Sequence, residues 1–351
     1  MGIKVGIIGF GYMGHFHWNK IRMLDGAELI AVFDISEEKL TEAKNEGIIA
    51  YRTLETFLAN TEIDLVVICT PNNFHKDYAV ASMEAGKDVL CEKPATMNVK
   101  EMEIIAEISN KTGKIFTVHQ NRRWDVDYKV VRNIIENGTI GNITTIESKV
   151  MGQRGVCYGW RALPEAGGGM LFDWGVHLID QMLQLYKNEK VCSVYARIFS
   201  VLTPAVDDFF EVDMHFTNGV CARVSVGTFA LQKVPRWFIY GDRGTLELDD
   251  FTGEHGGIAR IKGQVKGFDS VVGKKGLGPS RTMAPLAPEN LEVLELPQEI
   301  EEPLTFWKNI VAVVERKEKP YVSMNEILRQ MKLVELAFES SERNEVMKCL
   351  V

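Results

Sequence analysis

The feature that most constrains the fold of this chain is a glycine-rich turn that follows its first apolar run. The turn reads Gly9-Phe10-Gly11-Tyr12-Met13-Gly14. It comes directly after the strand-like residues Ile3–Gly9, and a helical segment follows it. In a G-x-G-x-x-G turn, the first glycine permits a tight bend, the second lets the backbone approach a pyrophosphate, and the third lets helix and strand pack closely. The start of the helix adds free N–H donors for phosphate groups. This context predicts a strand-turn-helix unit that binds a dinucleotide.

Asp34 supports this prediction, because a ribose-binding acid is expected about 20 residues after such a turn. Asp34 closes the second apolar run, Glu28–Asp34. Its carboxylate would accept hydrogen bonds from the ribose hydroxyls and repel a 2′-phosphate, which favours NAD over NADP. Ile35 offers a 2′-phosphate no positive charge, whereas Ser36 could accommodate one. The alternative is that Asp34 only caps the following helix.

The first 120 residues alternate between short apolar runs and segments with helical periodicity. The predicted strands are Ile3–Gly9, Glu28–Asp34, Asp64–Thr70, Asp88–Cys91 and Lys114–His119. Their nearly continuous apolar character is expected of parallel strands that are covered on both faces. The helical segments are Glu37–Glu46, His75–Ala85 and Lys100–Thr112. The sequence therefore predicts an α/β protein that begins with a doubly wound parallel sheet, a Rossmann domain over residues 1–121.

The second part of the chain, residues 122–351, predicts an α+β domain with a large, mostly antiparallel open sheet. Helices are predicted over Asp127–Asn137, Asp173–Leu185, Leu304–Glu315 and Asn325–Glu339. Alternating segments follow one another at Val191–Val201, Phe209–Thr217, Val220–Phe229, Pro235–Tyr240 and Thr245–Asp249. Asn218-Gly219 between two of these runs indicates a two-residue hairpin. Whether the closing helices pack back on the first domain stays open, and so does the role of residues 251–290, as an arm, a loop or an irregular surface segment.

Composition excludes several other classes of protein. A chain of 351 residues suits roughly two domains, and its formal charge of −8 argues against a nucleic-acid partner. It contains no CxxC pair and no apolar run that approaches the length of a membrane helix. Its six cysteines suit free thiols in a reducing compartment, and no signal peptide opens the chain. We expect a cytoplasmic protein that binds neither nucleic acid nor a membrane.

Six motifs, taken in this order, resemble those of the glucose-fructose oxidoreductase, inositol dehydrogenase and MocA family. They are GFGYMG at 9–14, CTPNNFH at 69–75, CEKPAT at 91–96, HQNRRWD at 119–125, Trp160-Arg161 and GGGMLFDWGVHLID at 167–180. The resemblance covers nearly the whole chain. It implies a Rossmann domain and a mostly antiparallel β domain, with the nicotinamide in the cleft between them.

The turn Cys69-Thr70-Pro71-Asn72 follows a predicted strand, at the carboxyl edge where open α/β sheets bind ligands. Pro71 restricts the residue before it to an extended conformation. The resemblance implies that this turn and His75 border the cofactor, although a helix-start or core role is the alternative for His75. It also implies cofactor contacts for Glu92, Lys93, Asn121, Arg122, Trp160 and Arg161.

Three residues are predicted to be catalytic: Lys93, Asp173 and His177. Lys93 follows a strand directly before Pro94, and lysine readily changes its charge on burial. Asp173 and His177, at i and i+4, share one face of a regular helix, for which a surface contact is the alternative. The resemblance implies that the three form a triad. Histidine titrates near neutral pH, so His177 suits a general base, with Asp173 beside it and Lys93 stabilising the alkoxide. No residue spacing indicates a metal ligand set, and no metal is predicted.

The leading hypothesis is an NAD-dependent oxidoreductase that moves hydride between the nicotinamide and a secondary alcohol of a sugar, glycoside or cyclitol. One alternative is an NAD-dependent glycosidase that works by transient oxidation and elimination. Another is a dinucleotide-binding regulatory protein without enzymatic activity. The expected partner is a small polyhydroxylated substrate. The resemblance also implies a homodimer or homotetramer through the sheet of the second domain.

Overall fold

The computed structural model describes residues 2–263 and 286–351, and its first part is a six-stranded parallel sheet. The strands are β1 (Ile3–Ile8), β2 (Ala27–Phe33), β3 (Ile49–Tyr51), β4 (Leu65–Ile68), β5 (Asp88–Cys91) and β6 (Phe116–Val118). Their order is β3-β2-β1-β4-β5-β6. Every residue of β4, β5 and β6 is buried, as expected of strands covered on both faces. The predicted Rossmann sheet is confirmed. The order of its strands reverses between β1 and β4, and sheets of this kind form a ligand crevice at such a position.

Helices connect these strands and cover the sheet. They are α1 (Tyr12–Ile21), α2 (Glu37–Asn45), α3 (Leu54–Leu58), α4 (His75–Glu84) and α5 (Val99–Thr112). The Asn98 side chain accepts a hydrogen bond from Glu101 N at 2.9 Å and so caps the start of α5. Gly113, in the left-handed region at φ 67°, ends α5.

The second part contains a nine-stranded sheet in the order β14-β13-β12-β11-β7-β10-β9-β8-β15. Its strands are β7 (Ile143–Met151), β8 (Val191–Phe199), β9 (Phe209–Phe216), β10 (Cys221–Gly227), β11 (Trp237–Gly241), β12 (Gly244–Leu248), β13 (Gly256–Ile261), β14 (Leu291–Leu294) and β15 (Met347–Lys348). Among the described strands of this second sheet, only the β7–β10 pair is parallel. Gly219, at φ 90°, turns β9 into β10, as the Asn-Gly pair predicts. The mostly antiparallel sheet is confirmed.

Four further helices are α6 (Val126–Glu136), α7 (Val176–Leu185), α8 (Thr305–Val314) and α9 (Met324–Arg343). The long helix α9 packs against α5 and β6 of the first part and against α7 and β8 of the second. A capping box between Ser323 and Glu326 starts it. Next to this start, Thr117 Oγ1 donates to Val322 O at 2.8 Å. The closing helix α9 therefore contacts both sheets.

Two stretches differ from, or lie beyond, what the sequence predicts. The helix expected over Asp173–Leu185 begins as a π-helical turn, Leu171–Gly175, and continues as α7. Of the segment 251–290, residues 264–285 lie outside the described residues, and the remainder includes β13 and a 3₁₀ turn at Pro288–Asn290. Among the residues described, no helix is both long and apolar enough to span a membrane.

Candidate functional site

The glycine-rich turn has the geometry that a pyrophosphate requires. Gly9 lies at φ 90°, and a Cβ atom there would come within 2.8 Å of Cys69 O. A Cβ atom on Gly14 would collide with the carbonyl oxygen of Gly9. On Gly11, in contrast, a Cβ atom would have no neighbour within 4 Å, because the backbone there faces open space. The turn therefore packs tightly on the protein side and leaves the start of α1 accessible to an anion.

A cavity of about 730 Å³ opens at this turn, along the carboxyl ends of β1, β2, β4 and β5. Thirteen of the predicted cofactor residues line it: Gly9, Gly11, Tyr12, Met13, Asp34, Cys69, Thr70, Pro71, Asn72, Glu92, Lys93, Trp160 and Arg161. Tyr12 and Ile35 are 86% and 91% exposed at this cavity, which is unusual for large apolar side chains and suits a bound ligand. Thr70 Oγ1 is buried and lacks a hydrogen-bond partner among the described residues. The cavity therefore fits a dinucleotide.

Asp34 lines this cavity and also holds the turn in place. Its Oδ2 accepts a hydrogen bond from Phe10 N at 2.6 Å, and its Oδ1 accepts one from Ser36 N at 2.8 Å. A carboxylate has about four acceptor positions, so Asp34 can still accept from a ribose hydroxyl. The structural role and the predicted ribose contact are therefore compatible.

Lys93 and Asp173 form an ion pair across the cleft between the two sheets. Lys93 Nζ donates to Asp173 Oδ1 at 2.7 Å and to Asp173 O at 2.8 Å. Arg161 Nε lies 3.2 Å from Asp173 Oδ2. Burial opposes ionisation of this carboxyl group, but Lys93 and then Arg161 outweigh it and hold the pKa of Asp173 below its usual value. The aspartate is therefore charged and fixes the lysine ammonium in the cleft.

His177 lies in the first turn of α7 and is only 5% exposed. Its Nδ1 lies 3.2 Å from Gln120 Oε1. Burial, followed by the positive charges of Lys93 and Arg122, holds the pKa of His177 well below its usual value. The ring is therefore neutral near pH 7 and able to accept a proton. The predicted i, i+4 geometry of a regular helix is replaced, because Asp173 lies inside the wider π-helical turn that precedes α7.

A second cavity, also of about 730 Å³, lies beside the ion pair on the side of the nine-stranded sheet. It is lined by residues 150–158 and 226–228 together with Arg161, Met170, Asp173 and Trp174. Tyr158 and Arg161 line both cavities. Most of this lining has no predicted role, because residues 152–158 form a loop after β7 that carries no chemical motif. The second cavity lies next to the ion pair of Lys93 and Asp173, and its volume is in the range of pockets that bind small molecules.

The remaining predicted residues lie around the first cavity rather than on its wall. Phe10 is buried in the core, and Gly14 packs α1 on the turn. His75 is buried, with Nδ1 2.8 Å from Pro94 O and Nε2 3.0 Å from Thr70 O, so it supports the two loops that carry Thr70 and Lys93. Asn121 and Arg122 line a separate cavity of about 360 Å³.

Arg122 packs against Trp174, the residue that follows Asp173. Its guanidinium group stacks on the ring of Trp174 at 4.0 Å, and its Nη1 donates to Asp125 Oδ2 at 2.8 Å. Trp174 follows Asp173 directly and lines the second cavity. Arg122 therefore contributes charge and packing behind this wall.

A buried cluster that the sequence analysis misses lies behind Lys93. His17 Nε2 and His119 Nδ1 both donate to Glu92 Oε1, at 2.7 and 2.8 Å. Burial opposes ionisation of Glu92, but the two histidines outweigh it and keep the pKa of the carboxyl group well below its usual value. The three side chains are close enough to be potential metal ligands. Both rings lie at hydrogen-bond distance from the same carboxylate oxygen, as in a hydrogen-bond network. The absence of a metal stays a prediction. The sequence signals are that Glu92 belongs to the CEKPAT motif and His119 to the HQNRRWD motif, whereas His17 belongs to none.

The two parts of the chain match two family models. Residues 3–120 match the model described as an oxidoreductase family with an NAD-binding Rossmann fold, and residues 128–247 match the GFO/IDH/MocA C-terminal domain. The crystal structure of an NAD-binding protein from Listeria innocua is similar over 99% of both chains, with 37% identity and a TM-score of 0.94.

Several curated relatives have a stated activity, including an inositol dehydrogenase and a glucoside dehydrogenase. The scyllo-inositol 2-dehydrogenase (NADP(+)) of Bacillus subtilis is 29% identical over 242 residues, which are 68% of this chain and 66% of that protein. The D-glucoside 3-dehydrogenase of Escherichia coli is 28% identical over 203 residues, 56% of this chain and 58% of that protein. The matched region thus spans less than two thirds of the length of these relatives.

Proposed function

This chain belongs to the GFO/IDH/MocA oxidoreductase family, and from that premise we propose that it is a nicotinamide-dependent dehydrogenase. Its substrate in this proposal is a secondary alcohol of a sugar, glycoside or cyclitol. The observation that carries the proposal is the ion pair of Lys93 and Asp173, 2.7 Å apart at the junction of two cavities. A dinucleotide in the first cavity and a polyhydroxylated molecule in the second would both reach this pair.

The proposed cofactor is NAD. The open backbone at Gly11, the free N–H groups at the start of α1 and the carboxylate of Asp34 fit its pyrophosphate and ribose. When bound, the nicotinamide ring accepts a hydride. The Bacillus subtilis relative bears NADP(+) in its name, so the choice between the two dinucleotides depends in this proposal on Asp34.

The proposed mechanism assigns one task to each of three side chains. His177, neutral and buried, accepts the proton of the substrate hydroxyl. The Lys93 ammonium stabilises the negative charge that develops on the substrate oxygen as the proton leaves. Asp173 holds Lys93 in position through its carboxylate and its backbone carbonyl. The buried surroundings strengthen these interactions relative to water.

We also propose that the protein assembles through the outer face of the nine-stranded sheet. The side chains of Phe199, Tyr240 and Val293 on this sheet are 37%, 42% and 74% exposed. A second copy of the sheet would cover them. Light scattering at micromolar concentration should give a dimer or tetramer, and a monomer alone would contradict this part of the proposal.

The function is tested by following NADH absorbance over a panel of polyols, aldoses, inositols and glycosides. We expect NADH to accumulate with at least one cyclitol, sugar or glycoside. Release of free aglycone from a glycoside without NADH accumulation would instead indicate the glycosidase mechanism. Cofactor binding with no turnover on any member of the panel would contradict the proposed substrate class.

A further inference from the structure

The ring of His177 is connected to a row of buried side-chain amides. Its Nδ1 faces Gln120 Oε1 at 3.2 Å, and Gln120 Nε2 donates to Gln330 Oε1 at 2.9 Å. Gln330 Nε2 in turn donates to the backbone carbonyl oxygen of Val176, the residue before His177. Gln120 and Gln330 are each 1% exposed. The row therefore starts and ends on the first residues of α7 and passes through the loop after β6 and through α9.

The last member of this row fixes the direction of every hydrogen bond in it. A backbone carbonyl oxygen can only accept, so the atom of Gln330 that faces Val176 must be its NH₂ group. Gln330 then offers its oxygen to Gln120, and Gln120 offers its own oxygen to His177. An amide oxygen only accepts, so the proton of a neutral His177 must be on Nδ1. Reversing either amide would bring two oxygens or two NH₂ groups face to face in a buried site, where unpaired polar groups are costly.

We propose that Gln120 and Gln330 are positioning residues that hold His177 as the Nδ1–H tautomer and leave the lone pair on Nε2. Nε2 is then the atom that takes the proton from the substrate hydroxyl as that O–H bond breaks. This inference rests on the proposed function, in which His177 is the general base. It assigns to α9, a helix of the closing segment, a part in the chemistry of the cleft.

Proton NMR of the protein without cofactor tests the tautomer directly. Two-bond ¹H–¹⁵N correlation spectra of histidine-labelled protein at pH 8 distinguish the two neutral tautomers, and loss of one set of signals in His177→Gln identifies the residue. We expect His177 to give the Nδ1–H pattern. The Nε2–H pattern in the wild-type protein would overturn the inference.

Gln330→Met keeps the volume of the side chain and removes both of its hydrogen bonds. Gln120 is then free to reverse, so the Nε2–H form of His177 should appear. The fall in kcat/KM should be roughly 10- to 100-fold, since a histidine held in the wrong tautomer cannot accept the proton. An unchanged tautomer in this variant would overturn the inference. A shifted tautomer with unchanged kcat/KM would support the control of the tautomer by the two amides, but it would refute the role of His177 as the general base.

Gln120→Glu provides the conservative comparison, because a carboxylate also only accepts. We expect this variant to keep the Nδ1–H tautomer, while its second carboxylate oxygen, which replaces the NH₂ group that Gln120 gives to Gln330 Oε1, lowers the free energy of unfolding. Its pH profile of kcat/KM should move to higher pH, since the added negative charge acts with Glu92 in favour of the protonated ring and against Lys93, Arg122 and His119. Appearance of the Nε2–H form in Gln120→Glu would contradict the inference.

Gln184→Met is the matched control. Gln184 lies on α7 and donates to Glu326 Oε1 of α9 at 2.8 Å, so this variant also removes an amide hydrogen bond between the two helices. It does not touch the row that ends at His177, and both the tautomer and kcat/KM should stay at their wild-type values.

Discussion

At the scale of single residues, the ion pair of Lys93 and Asp173 is the feature with the clearest consequence. The lysine ammonium is bound by two oxygens of one aspartate, and the pair lies at the junction of the two cavities. We predict that Lys93→Met lowers kcat by at least about 10²-fold, because the developing alkoxide loses its cation. Cofactor binding, measured by calorimetry, should persist, since the pyrophosphate and ribose contacts are elsewhere. Near-normal turnover would reject the role of Lys93.

Lys129→Met is a matched control for this variant. The Lys129 ammonium also contacts a carboxylate and a backbone carbonyl, Glu302 Oε2 at 2.8 Å and Ile300 O at 2.9 Å. It lies on α6, away from both large cavities. We expect a loss of stability without a loss of kcat, which would separate the effect of a missing buried lysine from that of a missing catalytic one.

Asp34 should determine which dinucleotide is used. Asp34→Ser removes the negative charge that would repel a 2′-phosphate and leaves a small acceptor in its place. The ratio of kcat/KM for NAD to that for NADP should fall by about tenfold or more, which corresponds to about 1.4 kcal/mol. Glu38→Gln, which changes an exposed acid in the first turn of α2, is the control. A wild-type enzyme that used both dinucleotides equally would already contradict the assigned role.

At the scale of elements, three consecutive glycines let the loop before α7 approach the first sheet. Asn72 Nδ2 donates to Gly167 O at 2.7 Å. A Cβ atom on Gly167 would collide with Met97 Sδ and come within 2.8 Å of Asn72 Cβ. The next two glycines are equally confined, by Arg161 O and by the Asp207 carboxylate. These contacts place the π-helical turn, and with it Asp173, against Lys93.

The steric part of this contact is measurable with a pair of variants. Gly167 and Gly113 both have left-handed backbones, at φ 77° and 67°, so alanine strains both by about 1–2 kcal/mol. A Cβ atom on Gly113 meets nothing within 4 Å. Gly167→Ala should therefore lower the free energy of unfolding by about 1–3 kcal/mol more than Gly113→Ala does. Equal losses in urea denaturation would show that the loop accommodates the methyl group.

The elements of the first sheet could be predicted because burial on both faces leaves a nearly continuous apolar run. Strand β7, at the centre of the second sheet, is not among the predicted strands. It reads ITTIESKVM, with only two fully buried residues, so polar side chains interrupt its alternation. Strands β3 and β15, of three and two residues, are too short to carry any pattern. The π-helical turn could not be predicted either, because the spacing of apolar residues does not distinguish a π-helical turn from an α-helical one.

The candidate site was predictable only where its residues stand next to a motif. The glycine turn, Asp34 and the residues after β4 and β5 follow from their places at strand ends. Gln330 and His17 could not be found in this way, because neither residue belongs to a motif and each meets its partner only in the folded chain. The second cavity escapes for the same reason, since β7, β10, the loop after β7 and the π-helical turn form it together.

At the scale of the whole molecule, buried titratable groups should make stability depend on pH. Burial is the largest factor that lowers the pKa values of His17, His75 and His177 in the folded chain, whereas each titrates near about 6.5 when unfolded. Their contribution to stability is therefore complete above about pH 6.5 and declines as the pH falls from there toward the folded pKa. Over this pH range, each histidine can lower the free energy of unfolding by up to about 1.4 kcal/mol for each pH unit of acidification.

Asp207 should act in the opposite direction. Burial raises its pKa from 3.8 to about 6, so its contribution is complete below pH 3.8 and is lost as the pH rises through about 6. Between these values the folded chain holds a proton that the unfolded chain has released. Asp207→Asn removes this opposing proton, and the free energy of unfolding should then rise with pH more steeply, by up to about 1.4 kcal/mol per pH unit. Urea denaturation at several pH values between 4.5 and 6 measures the slope, and Asp242→Asn controls for the loss of an exposed carboxyl group. A slope identical to that of the wild-type protein would show that the Asp207 carboxyl group is ionised in the folded chain throughout this range.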